Sequence, residues 1–262
     1  MKGTKLTTAV MFALIAMMAA LCFGPWYKEV FSSVVISVVE VIALFLTFFA
    51  ALAVYAKSKT ADPNRRNWLL LGIGFLLYAL GQSVLRYYQS LLLVPMPPFP
   101  SWADLFFVAY SPFAIWALFS FCRNAGRSGL SLGRPLVFWW PALAVLAVSL
   151  IVLPLLLTPV VRAGGTGVQI FLNIFYPTVG FVALAPCAVI LRFGLKFRGG
   201  NVFWIWSTIT AGYLLILSAD ILFAYVSMLE MSHVKQVLDF LYVTGYILLP
   251  RGILYQRNVL SF

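Results

Sequence analysis

The sequence predicts an all-α fold: a polytopic transmembrane bundle of eight helices, forming one membrane domain over residues 1–262. Three observations carry this. The chain is 63% hydrophobic and only 10% charged, where a soluble domain is nearer a quarter charged. Its apolar runs match the roughly 20 residues a helix needs to cross hydrocarbon. Its basic residues fall in short segments between those runs, and heavily in every second one. The short alternating segments of a membrane β-barrel are absent from the sequence.

Taken in order, the spans are expected near 6–26, 30–56, 68–93, 102–122, 136–161, 167–191, 202–228 and 236–256. The first could be read as a cleaved leader, because Lys2 and Lys5 precede an apolar run. That run, Leu6 to Phe23, is long for a signal segment, and no small-x-small site follows it, so a retained helix is expected. Between spans three and four lies a proline-rich crossing, Pro95 to Pro100, with no basic residue. It reads either as a stiff connector or as a cap over a pocket. Pro112, Pro154, Pro177, Pro186 and Pro250 fall inside spans, where kinks are expected. Tryptophans near span ends suit the interfacial belt.

Fourteen basic residues occupy one set of segments: the N-terminal tail, 57–66, 123–134, 192–198 and 251–257. The opposite set holds Lys28, Arg162 and Lys235, and Arg86 is left within a span. This asymmetry places both termini in the cytoplasm of a cell-membrane protein. The formal charge of +11 therefore points to an anionic leaflet and not to nucleic acid.

The acids lean the other way. Asp104 and Asp239 open spans four and eight as candidate helix caps, and Glu40 and Asp220 lie within spans two and seven. Arg86 and Asp220 each fall 18 residues from the cytoplasmic start of their span, about 27 Å at 1.5 Å per residue. The buried charges thus gather towards the outer side, and the cytoplasmic half looks dry.

An internal repeat is also expected. Residues from Trp68 resemble those from Phe203, aligning Ser83 with Asp220 at an offset of 137. Residues from Ala103 resemble those from Leu238, aligning Asp104 with Asp239 and Phe107 with Tyr242 at an offset of 135. Both copies enter from the same side, so residues 1–134 and 135–262 would be two parallel four-helix repeats.

Helical spacing puts Gln82, Arg86 and Gln89 on one face of span three, and Ser33, Ser37 and Glu40 on one face of span two. Span six offers Asn173, Tyr176 and Gly180. Span seven offers Tyr213 and Asp220, and span eight Asp239, Tyr242 and Tyr246. These faces should turn from lipid into the bundle, because a charge facing hydrocarbon costs several kcal/mol. Arg86 has Asp220 and Glu40 as candidate partners. The set is either an ion pair that fixes helix packing or a pocket in which Arg86 holds an anion.

Several chemistries are disfavoured. HExxH, GxSxG, P-loop and dinucleotide signatures are missing from the sequence. Cys22, Cys122 and Cys187 form no CxxC, and the lone His233 cannot supply a bis-histidine haem. No lysine lies inside a span to carry a retinal. No enzyme activity, cofactor or metal is expected.

The stretch PSWADLFFVAYSPF (Pro100–Phe113) resembles the Pro-Ser-x-Ala-Asp motif of the multi-helix N-terminal membrane sensory modules of prokaryotic histidine kinases and diguanylate cyclases. Phe107 stands where the motif has Tyr, and Ser111 separates Tyr110 from Pro112. ADILFAY (Ala219–Tyr225) and LDFLYVTGYILL (Leu238–Leu249) resemble that module's closing helices, so the similarity runs from Trp68 on. An acid expected near Gly180 is missing. The resemblance implies a sensory module, here a stand-alone relative or a truncated sensor, since no kinase, PAS or cyclase domain follows. The expected function is sensory: an outer-side polar pocket for a small ligand or lipid, with a cytoplasmic or membrane signalling partner as receiver. The alternatives are a small transporter or permease with parallel repeats, and a structural subunit of a membrane complex.

Overall fold

The computed structural model of the chain describes residues 2–28, 30–90, 92, 99–127, 135–195, 200–228 and 234–259. Residues 93–98 of the proline-rich crossing lie outside the described residues, as do Glu29, Arg134, Lys196, Arg198, Glu230 and His233. So do the side chains of Lys2, Lys5, Lys28, Gln89, Ser90 and Tyr225.

Eight helices account for nearly all of what is described: α1 (Lys2–Phe23), α2 (Val30–Lys57), α3 (Arg65–Ser90), α4 (Trp102–Arg127), α5 (Pro135–Arg162), α6 (Gly167–Leu195), α7 (Asn201–Met228) and α8 (Lys235–Val259). A 3-10 turn, Pro25–Lys28, joins α1 to α2. Among the described residues there is no strand. Helices α2 to α8 are each long and apolar enough to cross a bilayer, while the apolar part of α1, Thr8–Phe23, is shorter than a full span. The chain is a multi-pass membrane protein in contact with lipid.

Local sequence sets the helix starts. At α6, Thr166 Oγ1 accepts from Gln169 N, and Gln169 Oε1 accepts from Thr166 N at 2.8 Å, a reciprocal capping box. At α4 the same arrangement forms between Ser101 and Asp104: Ser101 Oγ accepts from Ala103 N, and Asp104 Oδ2 accepts from Ser101 N at 2.5 Å. The cap is therefore Ser101, and Asp104 is its partner one turn in. Asp239 departs further from the cap expected of it, because α8 begins at Lys235 and places Asp239 a full turn inside. Helices α4, α5, α6 and α8 continue through their internal prolines. Arg251, inside the span expected over 236–256, lies within α8 and donates to Thr8 Oγ1 of α1 at 2.6 Å.

Six helices close into a ring. In order round it, α2 packs on α3, α3 on α4, α4 on α6, α6 on α7, α7 on α8, and α8 back on α2. Helix α1 leans on α8 from outside, and α5 leans on α6. Short connectors make successive helices antiparallel. As a result α2, α4, α6 and α8 all begin at one end of the ring. Helix α5 is the least covered span and shows Leu150, Ile151 and Leu155 outward, as suits a lipid-facing helix.

The two ends of the ring differ. Where α3 and α7 begin, Trp68 packs on Phe121 at 4.6 Å between ring centroids, and Phe121 on Trp206 at 5.4 Å. Leu71, Leu118, Ile205, Leu249 and Ile253 fill the space around them, all fully buried. This half is a dry core. Helices α7 and α8 approach closely through Gly212 and Gly245, where a Cβ on Gly245 would sit 2.8 Å from Ile216 and 3.1 Å from the Gly212 carbonyl. A Cβ on Gly72 would meet only ordinary contacts, the nearest at 3.4 Å. Gly245→Val should therefore destabilise the protein by about 1–3 kcal/mol through overpacking, while Gly72→Ala leaves it unchanged; unfolding in detergent followed by circular dichroism measures both.

Candidate functional site

The opposite half of the ring, where α4, α6 and α8 begin, encloses a cavity of ≈ 290 Å³. Each wall follows from position along its helix. The late turns of α3 bring Gln82 and Arg86, and the late turns of α7 bring Asp220 and Phe223. The N-terminal halves of α4, α6 and α8 bring Asp104, Gln169, Tyr176, Asp239 and Tyr242. Of the residues singled out from sequence, Gln82, Arg86, Asp104, Asp220, Asp239 and Tyr242 thus converge on one space. Glu40 stands behind the wall, and the side chain of Gln89 lies outside the described residues.

Arg86 is paired with Glu40 and not with Asp220. Its Nη2 donates to Glu40 Oε2, which also accepts from Gln82 Nε2 at 2.7 Å. The Glu40 side chain is wholly buried, and Arg86 is 11% exposed. On α2, Ser37 is buried on the same side as Glu40, but Ser33 faces outward and the neighbouring Ser32 is the buried serine. Ser32 Oγ donates to the Trp26 carbonyl at 2.7 Å, which ties the start of α2 to the preceding turn.

Two further carboxylates are dressed by phenols. Tyr242 donates to Asp220 Oδ1 at 2.8 Å. Tyr176 donates to Asp104 Oδ1, whose other oxygen holds the Ser101 amide. Asp220 has no cationic partner among the described residues. Glu40 and Asp220, the two candidate partners of Arg86, are thus held apart: Glu40 by Arg86 and Gln82, Asp220 by Tyr242. Asn173, expected on the same face as Tyr176 and Gly180, is buried but does not line the cavity.

Of the floor, the sequence singled out Tyr213 and Tyr246 but not Tyr78 or Tyr110. Four tyrosines, one each from α3, α4, α7 and α8, form a layer between the cavity and the dry core. The hydroxyls of Tyr78 and Tyr246 lie 3.0 Å apart, and Tyr110 donates to Tyr213 at 3.2 Å. The rings of Tyr78 and Tyr110 stack at 4.8 Å. Beneath them Phe75 lies 5.7 Å from Tyr110 and 6.4 Å from Tyr213, ring to ring. The signal available in sequence was helical spacing: Tyr78 is one turn from Gln82, and Tyr246 one turn from Tyr242.

At the rim, Phe99 lies edge-on to Phe223 at 5.5 Å, and its carbonyl accepts from Gln169 Nε2 at 2.8 Å. The last residues of the proline-rich crossing are therefore fastened across the cavity.

No family model, curated protein or solved structure matches the chain.

Removing one partner of a buried ion pair strands the other charge. Glu40→Ala should cost about 3–5 kcal/mol of stability by that mechanism. The double variant Glu40→Leu/Arg86→Leu should recover most of the loss, because neither member of the pair is then left buried alone; thermal unfolding of the three proteins in one detergent tests both outcomes.

Proposed function

We propose that the chain is a membrane-embedded sensory module whose cavity binds a small ligand or lipid on the outer side. One observation carries the reading: the cavity is bounded by a tyrosine layer, and the other half of the ring is apolar and packed. A transporter needs a polar route at both ends at some stage of its cycle, whereas a receptor needs one accessible chamber. The likeness of Pro100–Phe113 to the membrane sensory modules of histidine kinases and diguanylate cyclases supports the same reading. Ser101, Asp104 and Phe107 from that stretch all line the cavity. The receiver would be a cytoplasmic or membrane partner, with the basic segment from Arg123 as a docking surface.

Cytoplasmic termini belong to this proposal. The cavity end then faces outward, and the basic ends of α2, α4, α6 and α8 face the cytoplasm. Two parallel four-helix repeats belong to it as well. Exchanging each helix for the one four places along leaves the order of the six-helix ring unchanged. A constant offset of 135, in place of 137 for the first pair of helices, matches five pairs of cavity residues: Tyr78 with Tyr213, Leu85 with Asp220, Asp104 with Asp239, Phe107 with Tyr242, and Ser111 with Tyr246. The two tyrosine hydrogen bonds exchange under the same operation to within one residue.

Val179 lines the cavity, Thr60 sits in the connector between α2 and α3, and the three described cysteines are buried. Val179→Cys should react with a membrane-impermeant thiol reagent from outside intact cells only, and Thr60→Cys only after the membrane is opened. Labelling of Val179→Cys from both sides would replace the sensor with a transporter. Labelling from neither side would remove the chamber.

A further inference from the structure

The chemistry of the cavity wall says what kind of ligand fits. Several of its hydrogen-bond donors are committed within the protein: Gln82 Nε2 and Arg86 Nη2 to Glu40, and Gln169 Nε2 to the Phe99 carbonyl. The hydroxyls of Tyr176 and Tyr242 donate to Asp104 and Asp220, which leaves their lone pairs as acceptors. The charged side chains of the wall are three carboxylates, Asp104, Asp220 and Asp239, and two cations, Lys235 and Arg86, the latter set against the buried Glu40. Nine of the 24 lining residues are aromatic, and aromatic faces attract cations. An anion would find its natural partner, Arg86, already neutralised by Glu40.

Depth sharpens the point. Asp220 sits within the spanning part of α7, where charge is costly unless compensated. Its one hydrogen-bond partner is the neutral Tyr242, and no cation of the described protein meets it. The volume is near the lower bound of about 300 Å³ for small-molecule sites, so the ligand is compact.

We propose that the cavity binds an organic ammonium group, held by Asp220 and the rings of Phe107, Tyr176 and Tyr242. This rests on the reading of the cavity as a ligand chamber and names the class of its ligand. An ammonium matches the wall twice, since its charge faces a carboxylate and its carbon substituents face rings. The group could arrive on a free amine or on the headgroup of an ethanolamine or choline lipid.

The test uses the whole protein in nanodiscs of phosphatidylglycerol alone, a lipid with no ammonium group. Choline and 2-phenylethylammonium are titrated in by calorimetry, alongside the neutral isostere 3,3-dimethylbutanol and the anion phenylacetate. The ammonium probes should bind at least tenfold more tightly than the neutral and anionic ones, and Asp220→Asn should weaken their binding at least tenfold. Phe107→Leu, which keeps every carboxylate, should weaken choline binding several-fold and serves if Asp220→Asn does not fold. Repeating the titration in phosphatidylethanolamine nanodiscs separates the sources: loss of probe binding there marks a lipid headgroup, and unchanged binding marks a free amine. Equal or tighter binding of phenylacetate or dimethylbutanol overturns the ammonium assignment, as does binding of no probe in phosphatidylglycerol. The chamber itself then stands or falls on the separate one-sided labelling of Val179→Cys.

Discussion

A guanidinium and a carboxylate within membrane-spanning helices cannot be left to lipid, and that constraint organises the cavity half of the molecule. Arg86 on α3 and Glu40 on α2 must find one another inside the protein, with Gln82 supplying a further bond. Their meeting fixes the rotation of both helices about their axes. Once α3 is so turned, Tyr78 and Gln82, on the same face, point into the ring, while Leu80 and Tyr87 point to its outside. A buried pair of this kind adds little net stability, yet it penalises any register in which the partners separate. Specific geometry is what it contributes, and the chamber beside it depends on that geometry.

The dry half of the ring solves a different problem. Lipid tails are as apolar as leucine, so helices there hold together by close packing and not by escape from solvent. Gly212 and Gly245 let two backbones approach, and the rings of Trp68, Phe121 and Trp206 fill the wider gaps. The tyrosine layer joins the two regimes. Its rings belong to the core, and its hydroxyls belong to the polar chamber and satisfy one another in pairs.

Helix positions were legible in the sequence to within a few residues, because a bilayer fixes the length of an apolar run and leaves polar punctuation at each end. Arg86, Asp104, Asp220 and Asp239 were legible as a converging set for a related reason: a charge on a span must turn inward. The partner of Arg86 was not, since estimates of depth admit both Glu40 and Asp220 and do not give rotation. Ser32 and Ser33 show the same limit, where one residue of helical phase separates a buried hydroxyl from an exposed one. Half of the tyrosine floor, Tyr213 and Tyr246, was legible beside the polar residues of its spans, while Tyr78 and Tyr110 were hidden among the many other aromatics. The outlying places of α1 and α5 left only an indirect trace, the lack of a polar face on spans one and five, because hydrophobicity cannot tell a lipid-facing side from a core-facing one when both are apolar.

The ring has two seams at which neighbouring helices run parallel, α4 beside α6 and α8 beside α2. Around the chamber end this gathers four helix N-termini against two C-termini. Peptide dipoles point their positive poles towards N-termini, so the backbone itself supplies a positive field to the chamber. Helices α1 and α5 run the other way and balance the molecule as a whole, but they stand outside the ring, farther from that space. Asp104 sits in the first turn of one of those four helices, where the field favours a negative side chain, and Asp239 lies one turn further into another. At the far end, Lys57, Arg127, Arg192 and Arg257 occupy the last turns of the same four helices. The segregation of acid from base along this protein thus follows the polarity of its own main chain, laid down by the order in which the helices join.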